Sequence, residues 1–433
     1  MALLLCAFVR KGRQEDYPTI NPNTFTTLHS MARAKIHVGL EIGTSKVCML
    51  VGEAKPDGSL KILGIGTAKS AGVRKGEICD YSKIKDCVEE ARHKAEEASD
   101  VEIGSVFLSV TGAHFVGVNN TGTYRLPDRE KQIRPEHLNE AEDIAKKVNI
   151  TDDHVFLHTI PRHYRVDGFE HSSSPAGLFG KTLESDYHVV YGIGTRIQNS
   201  IKCVRELQME VDDVVFAPIA TAQCALNMSE RERGALLIDI GGGTTDYALY
   251  LDGTIVSSGC IAAGGEHVTN DIHMLTELPF SKAEALKIRE GDASGDQSRS
   301  LGGIKIPADD KGFTHQEVKR ELLNEVIRQR MWEILTLVKK RLPAGAIERI
   351  GTGVFLSGGS SFMNGLESLT LQVFDRSVYR SQATDISGVQ ANFKDPQFAT
   401  ALGLIRYAQL ADIEKQMKSR GLLGRLWPFG RKP

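Results

Sequence analysis

The residues best suited by type and spacing to do chemistry are Gly241, Gly242, Gly243, Thr244 and Thr245, with Asp239 two positions ahead of them. Successive glycines let backbone N–H groups approach an anion with no Cβ in the way, and the two hydroxyls add donors, so the run reads as a phosphate cradle. Asp239 would face a phosphate-bound cation through water, because Mg²⁺ keeps much of its hydration shell. A glycine hairpin that only turns the chain fits the same residues, and a second copy of the pattern favours the cradle. Glu41, Ile42, Gly43, Thr44, Ser45 and Lys46 repeat the order of acid, glycine and hydroxyls roughly 200 residues earlier, about one domain's length. Glu41 takes the acid's place beside the cation. Lys46 has two readings, a phosphate contact and a solvated hairpin lysine. A third glycine turn, Gly358-Gly359, follows the apolar residues 354–357.

Each of these turns needs strands to hold it. Apolar runs predict strands over 36–42, 47–54 and 61–68 around the first hairpin, and on both sides of the second. A helix over 82–98 carries Ile84, Cys87, Val88, Ala91 and Ala95 on one face. Residues 217–226 read as a small-residue helix. Gly264 and Gly265 begin a helix whose N-terminus suits a nearby phosphate, and the next helix holds Glu284 and Lys287 three apart on one face. Residues 291–303 read as a mobile loop. A long helix is expected over 314–342 with Val318, Leu322, Val326, Ile327, Ile334 and Val338 inward, and a last domain helix from 395 to about 410.

Composition narrows the function classes. The 433 residues leave room for two or more domains, and the net charge of -2 implies no general nucleic-acid surface. Seven cysteines are scattered with no CxxC pair, which reads as free thiols in a reducing compartment. The spacing of His154, His158, His163 and His171 matches no metal motif. No run of 18 apolar residues exists to span a membrane. The first 34 residues read as a disordered extension or as residues ahead of a true start at Met31; their basic residues follow the apolar ones, unlike a secretory signal. At the other end Leu422, Leu423, Leu426 and Trp427 share one helical face at about 100° per residue. With Phe429, Arg425 and flanking basic residues they form an amphipathic segment fitted to anionic lipid, and a terminal helix docked on its own domain is the alternative.

Three glycine turns in this order resemble the actin-like ATPase superfamily, and the wording of the first two resembles its bacterial FtsA family of cell-division proteins. The resemblance runs from Ile36 to the C-terminus. It implies an α/β, duplicated ribonuclease-H-like fold of two domains with ATP and Mg²⁺ between opposed hairpins and the adenosine at Gly358-Gly359. The expected division is a first domain over 35–111 and 192–220, an inserted α/β subdomain over 112–191, a second domain over 221–410, and a linker with a membrane-targeting helix over 411–433. Glu284 and Lys287 would contact ribose and adenine; a surface ion pair is the other reading. Superfamily members that hydrolyse ATP readily carry a water-ordering side chain near Ala217, which cannot serve, and Gln223 lies further along the helix, so hydrolysis is expected to be weak or absent. The implied partners are FtsZ, further copies of the chain in a head-to-tail filament, other division proteins at the inserted subdomain, and the inner membrane's cytoplasmic face at the division site. A pilus-assembly relative and a small-molecule kinase are the rival readings; the kinase would need a carboxylate base that the sequence does not offer.

Overall fold

Two sheets of the same design arise from the apolar runs that flank the two hairpins. In the first, β1 (Lys35–Ile42), β2 (Lys46–Ala54) and β3 (Leu60–Lys69) form an antiparallel meander. Strand β6 (Ser105–Val110) then pairs parallel with β1, and β11 (Glu210–Phe216) parallel with β6. In the second, β12 (Ala235–Ile240), β13 (Thr245–Leu251) and β14 (Thr254–Ile261) make the meander, followed by parallel β17 (Gly353–Ser357) and β18 (Val378–Arg380). Three antiparallel strands followed by two parallel ones, twice, is the duplicated fold. Both β12 and β13 are buried along their whole length, as befits strands covered on both faces. The computed structural model describes residues 35–419 except 56–57, 128–130, 172–173, 309–312, 314, 384–385 and 389–393. The extension and the amphipathic segment with Leu422, Leu423, Arg425, Leu426, Trp427 and Phe429 therefore lie outside the described residues.

Helix α1 (Tyr81–Ser99) starts where the Asp80 side chain accepts from the Lys83 N–H at 3.3 Å, and it buries Ile84, Cys87, Val88, Ala91 and Ala95. Between Gly112 and α3 (Gly194–Glu206) the chain builds a separate two-layer unit. There β7 (Val116–Arg125), β8 (His154–Val166), β9 (Phe169–His171) and β10 (Thr182–Ile193) form one antiparallel sheet under α2 (Pro135–Lys146). Its core includes Leu126, Ile133, Leu138, Ala141, Tyr164 and Leu183. Gly122 lets α2 lie close on the sheet, since a Cβ there would stand 1.9 Å from the Ala141 carbonyl oxygen. Helix α4 (Ala217–Ala225) then leads, through α5 (Met228–Arg233), into the second sheet.

Residues 291–303, expected as a mobile loop, instead bury Asp292 and Ala293 and form a short helical turn over Gln297–Ser300, and the structure departs from the sequence reading in two larger places. Residues 316–319 form β16 (Gln316–Lys319), paired with β15 (Gly303–Ile306), and α8 (Arg320–Arg341) begins only afterwards. Val318 is buried in that strand, and Leu322 is exposed because Leu323, Ile327, Met331, Ile334 and Val338 set the inward face one residue away. The second departure concerns the end of the chain. The expected second domain runs to 410, but β19 (Ile386–Gly388) pairs with β3, and α10 (Ala399–Ser419) packs on the first sheet. Ala401, Leu402 and Ile405 complete a core there with Cys48, Leu50, Leu60 and Ile62. Apolar burial on a half-covered first sheet is the reason: without α10 these side chains would face water.

Candidate nucleotide site between two glycine hairpins

Each hairpin is closed by the same bond. The Gly43 N–H donates to the Lys46 carbonyl at 3.0 Å, and the Gly241 N–H to the Thr244 carbonyl at 2.9 Å. The two turns meet tip to tip: a Cβ on Gly243 would stand 2.4 Å from Thr44 Oγ1, and one on Gly242 2.9 Å from Ser45 Cβ. Glycine is thus required for the approach of the hairpins. Thr44 Oγ1 accepts from the Gly76 N–H at 3.1 Å, which fixes the first turn from below. The third turn closes on the second hairpin. Gly358 has φ +82° and a Cβ there would lie 2.4 Å from Asp239 Oδ1, whereas Gly359 faces open space.

Carboxylates line this junction. Asp239 Oδ2 accepts from Thr221 Oγ1 at 3.0 Å and Thr400 Oγ1 at 3.2 Å. Burial pushes its pKa up, while those two hydroxyls and then Lys46 hold it down. Glu41 Oε2 is buried with no hydrogen-bond partner. Its pKa is raised to about 7, chiefly by burial, with Lys46 opposing and Asp239 adding. Asp246, cross-strand partner of Asp239, accepts from Thr111 Oγ1 of the first domain at 2.5 Å and is also raised to about 7, again chiefly by burial. The sequence reading missed Asp246, although an acid directly after two hydroxyls and opposite Asp239 in a two-strand register was the available signal. Lys46 is neither solvated nor free: its Nζ donates to the Gln397 carbonyl and sits 4.8 Å from the Phe398 ring centroid.

Helix α6 (Gly265–Thr276) buttresses the second hairpin. Its Gly265 N–H donates to the Gly241 carbonyl at 2.9 Å and its Glu266 N–H to the Gly242 carbonyl at 2.8 Å. Those N–H groups therefore point at hairpin carbonyls, and Gly264 is a glycine because a Cβ would meet the Gly241 and Gly242 carbonyl oxygens at 2.6 and 2.7 Å. On α7 (Phe280–Glu290), Lys287 pairs with Glu284 at 2.7 Å. The pair is not a solvated surface one, because Lys287 is buried and also donates to the Gly265 carbonyl at 3.0 Å and Thr269 Oγ1 at 2.9 Å. It ties α7 to the start of α6 beneath the hairpin. Gln223 Nε2 donates to the Ile219 carbonyl and Gln223 Oε1 accepts from Arg231, each at 3.3 Å, so its amide is held within and behind α4. Among the described residues no group of three or more His, Cys, Asp and Glu side chains could hold a metal directly.

Two family models match the chain: one described as cell division protein FtsA, over residues 236–403, and one described as the SHS2 domain inserted in FtsA, over 112–191. The cell division protein FtsA of Escherichia coli K12 is 33% identical over 397 residues, covering 88% of this chain and 94% of that protein. That of Pseudomonas aeruginosa is 35% identical over 380 residues, covering 87% and 90%. Among solved structures, the PilM-PilN type IV pilus biogenesis complex superposes with a TM-score of 0.58 at 16% identity over 86% of this chain and 98% of that one. MreB5 of Spiroplasma citri bound to ADP gives 0.54 at 15% identity over 88% and 98%. The structural likenesses carry the fold, which is that of the actin-like ATPases, and the sequence identity carries the family. On that sequence identity the chain belongs to the FtsA family of cell-division proteins.

Proposed function

We propose that this division protein binds ATP with Mg²⁺ between its two hairpins, polymerises head to tail on the cytoplasmic face of the inner membrane, and tethers FtsZ filaments there. The observation that supports the nucleotide site is the tip-to-tip meeting of Gly242 and Gly243 with Thr44 and Ser45, which brings the glycine turns of both domains within reach of one phosphate chain. In this reading Thr44, Ser45 and Gly242 to Thr244 hold phosphates, Gly43 and Gly241 close the two turns, Thr245 is held by its bond to the Ala263 carbonyl at 2.8 Å, Gly358 and Gly359 hold the adenosine, and Glu284 and Lys287 the ribose and adenine. Gly264 and Gly265 set the hairpin's height. The donor set fits a hydrated Mg²⁺ better than a directly ligated ion: Glu41 offers an unpartnered buried oxygen, Asp239 a second carboxylate, and both would act through water. Bound there, the ion would neutralise phosphate charge. Hydrolysis is slow in this account, because Ala217 has no polar group and the Gln223 amide is engaged elsewhere.

The amphipathic segment with Leu422, Leu423, Arg425, Leu426, Trp427 and Phe429 is the lipid contact. A single short helix of this kind binds a bilayer marginally, and a filament multiplies it by avidity. The inserted subdomain receives later division proteins. Equilibrium titration of Mg-ATP into the full chain tests the nucleotide site: Asp239→Ala and Gly242→Val should each lower affinity by about 100-fold or more, roughly 2.7 kcal/mol. Unchanged affinity in both variants would place the nucleotide elsewhere.

A further inference from the structure

The short turn Pro396–Phe398 and the first turn of α10 are held from both domains. From the first domain, Lys46 on the hairpin donates to the Gln397 carbonyl and lies against the Phe398 ring. From the second, the Pro396 carbonyl accepts from Ser357 Oγ and the Gly358 N–H, each at 3.2 Å, and Thr400 donates to Asp239. Beyond this point α10 has no slack. A Cβ on Gly403 would lie 1.9 Å from the Ala220 carbonyl oxygen, and one on Gly39 2.6 Å from that of Ala401. Further along, Gln409 donates to the Lys55 carbonyl at 3.2 Å and Asp412 pairs with Lys35 at 3.1 Å. The helix is thus fixed to the first sheet, and among its described residues Thr400 at its start is tied to Asp239 of the second domain.

Resting on the nucleotide site proposed above, we infer that Lys46 is exchanged between two acceptors, the Gln397 carbonyl without nucleotide and the phosphates with it, so that ATP releases from the first-domain hairpin the turn that leads into the tail-bearing helix. A lysine ammonium has three donors and no preference of shape, and an anionic oxygen attracts it more strongly than a neutral carbonyl because the opposite charges add a Coulomb attraction. Phosphate in the first hairpin therefore wins the competition, and the turn loses its tie to the first-domain hairpin while the second domain still holds it through Pro396 and Thr400. The consequence is reciprocal: whatever strengthens the hold of the turn on Lys46 weakens ATP binding, and the converse.

Hydrogen exchange of the full chain, read on peptides spanning 394–404 with and without Mg-ATP, tests the exchange of partners. In the wild type, saturating ATP should speed exchange at Phe398 to Ala401 by about tenfold or more. Lys46→Ala should show the fast rate without nucleotide and no further change with it. Phe398→Leu, which keeps apolar volume and removes the ring that seats the ammonium, should bind ATP several-fold more tightly than wild type. ATP binding with unaltered exchange in the wild type, or wild-type protection in Lys46→Ala, would overturn the inference while leaving the site in place. A wild type that binds no ATP in a parallel titration would remove the site itself, and the inference with it.

Discussion

Gly243 and Thr44 belong to different domains, and a Cβ on the glycine would stand 2.4 Å from the threonine hydroxyl. That distance is shorter than any tolerated contact, so a side chain at 243 must push the two hairpins apart. Gly243→Val should therefore lower the affinity for a fluorescent ATP analogue by about 100-fold or more, with far-ultraviolet circular dichroism unchanged, because the hairpin tips bury little apolar surface. Wild-type affinity would show that the hairpins need not meet to bind nucleotide.

A pH dependence follows from Glu41 and Asp246. Both pKa values are raised to about 7 by burial, so the folded state holds protons that the unfolded chain has already lost above pH 5. Their favourable contribution is complete below the unfolded values and is lost as pH rises through 7. The nucleotide-free protein should melt about 2 °C or more lower at pH 8 than at pH 5.5, and Glu41→Gln should reduce that difference. A melting temperature that rises over this window would contradict the burial of these carboxyls.

Thr221 and Thr400 approach the same oxygen of Asp239 from two different helices. Replacing both by valine keeps the volume and removes two hydrogen bonds to a buried carboxylate, a loss of roughly 1–3 kcal/mol per bond. The double variant should be less stable and should bind Mg-ATP less tightly than the wild type does, with the larger deficit at low pH, because Asp239 then protonates more easily. Differential scanning fluorimetry and ATP titration at pH 6 and 8 read both effects; identical curves would mean that the hydroxyls do not support the charge.

For the tail, Trp427→Glu should leave ATP affinity as it is and release most of the protein from anionic vesicles in a flotation assay. Undiminished vesicle binding would remove the amphipathic segment from the mechanism.

The hairpins were legible because their chemistry is local. Gly241 to Thr245 and Gly43 to Ser45 can be read from residue type, and helix α1 from the spacing of Ile84 to Ala95. The path of 386–419 was not legible, since periodicity shows that a helix is amphipathic but not which sheet it covers. Gly39, Gly52 and Gly403 were the only traces, as small residues where α10 lies too close for a Cβ. The partner of Lys46 was hidden for a similar reason: it is a backbone carbonyl 351 positions away, and any residue at 397 supplies one. Strand β16 was absorbed into a helical pattern because Val318 falls at helical spacing from Leu322, although its burial comes from pairing with Ile304.

Co-sedimentation with anionic liposomes and purified FtsZ, comparing the full chain with a chain ending at residue 419, tests the central claim most directly. The account predicts that FtsZ pellets with liposomes only when residues 420–433 are present, and that truncation leaves ATP binding intact because the described length of α10 is kept. FtsZ recruitment that survives the truncation, or lipid binding by the full chain without any FtsZ, would contradict it.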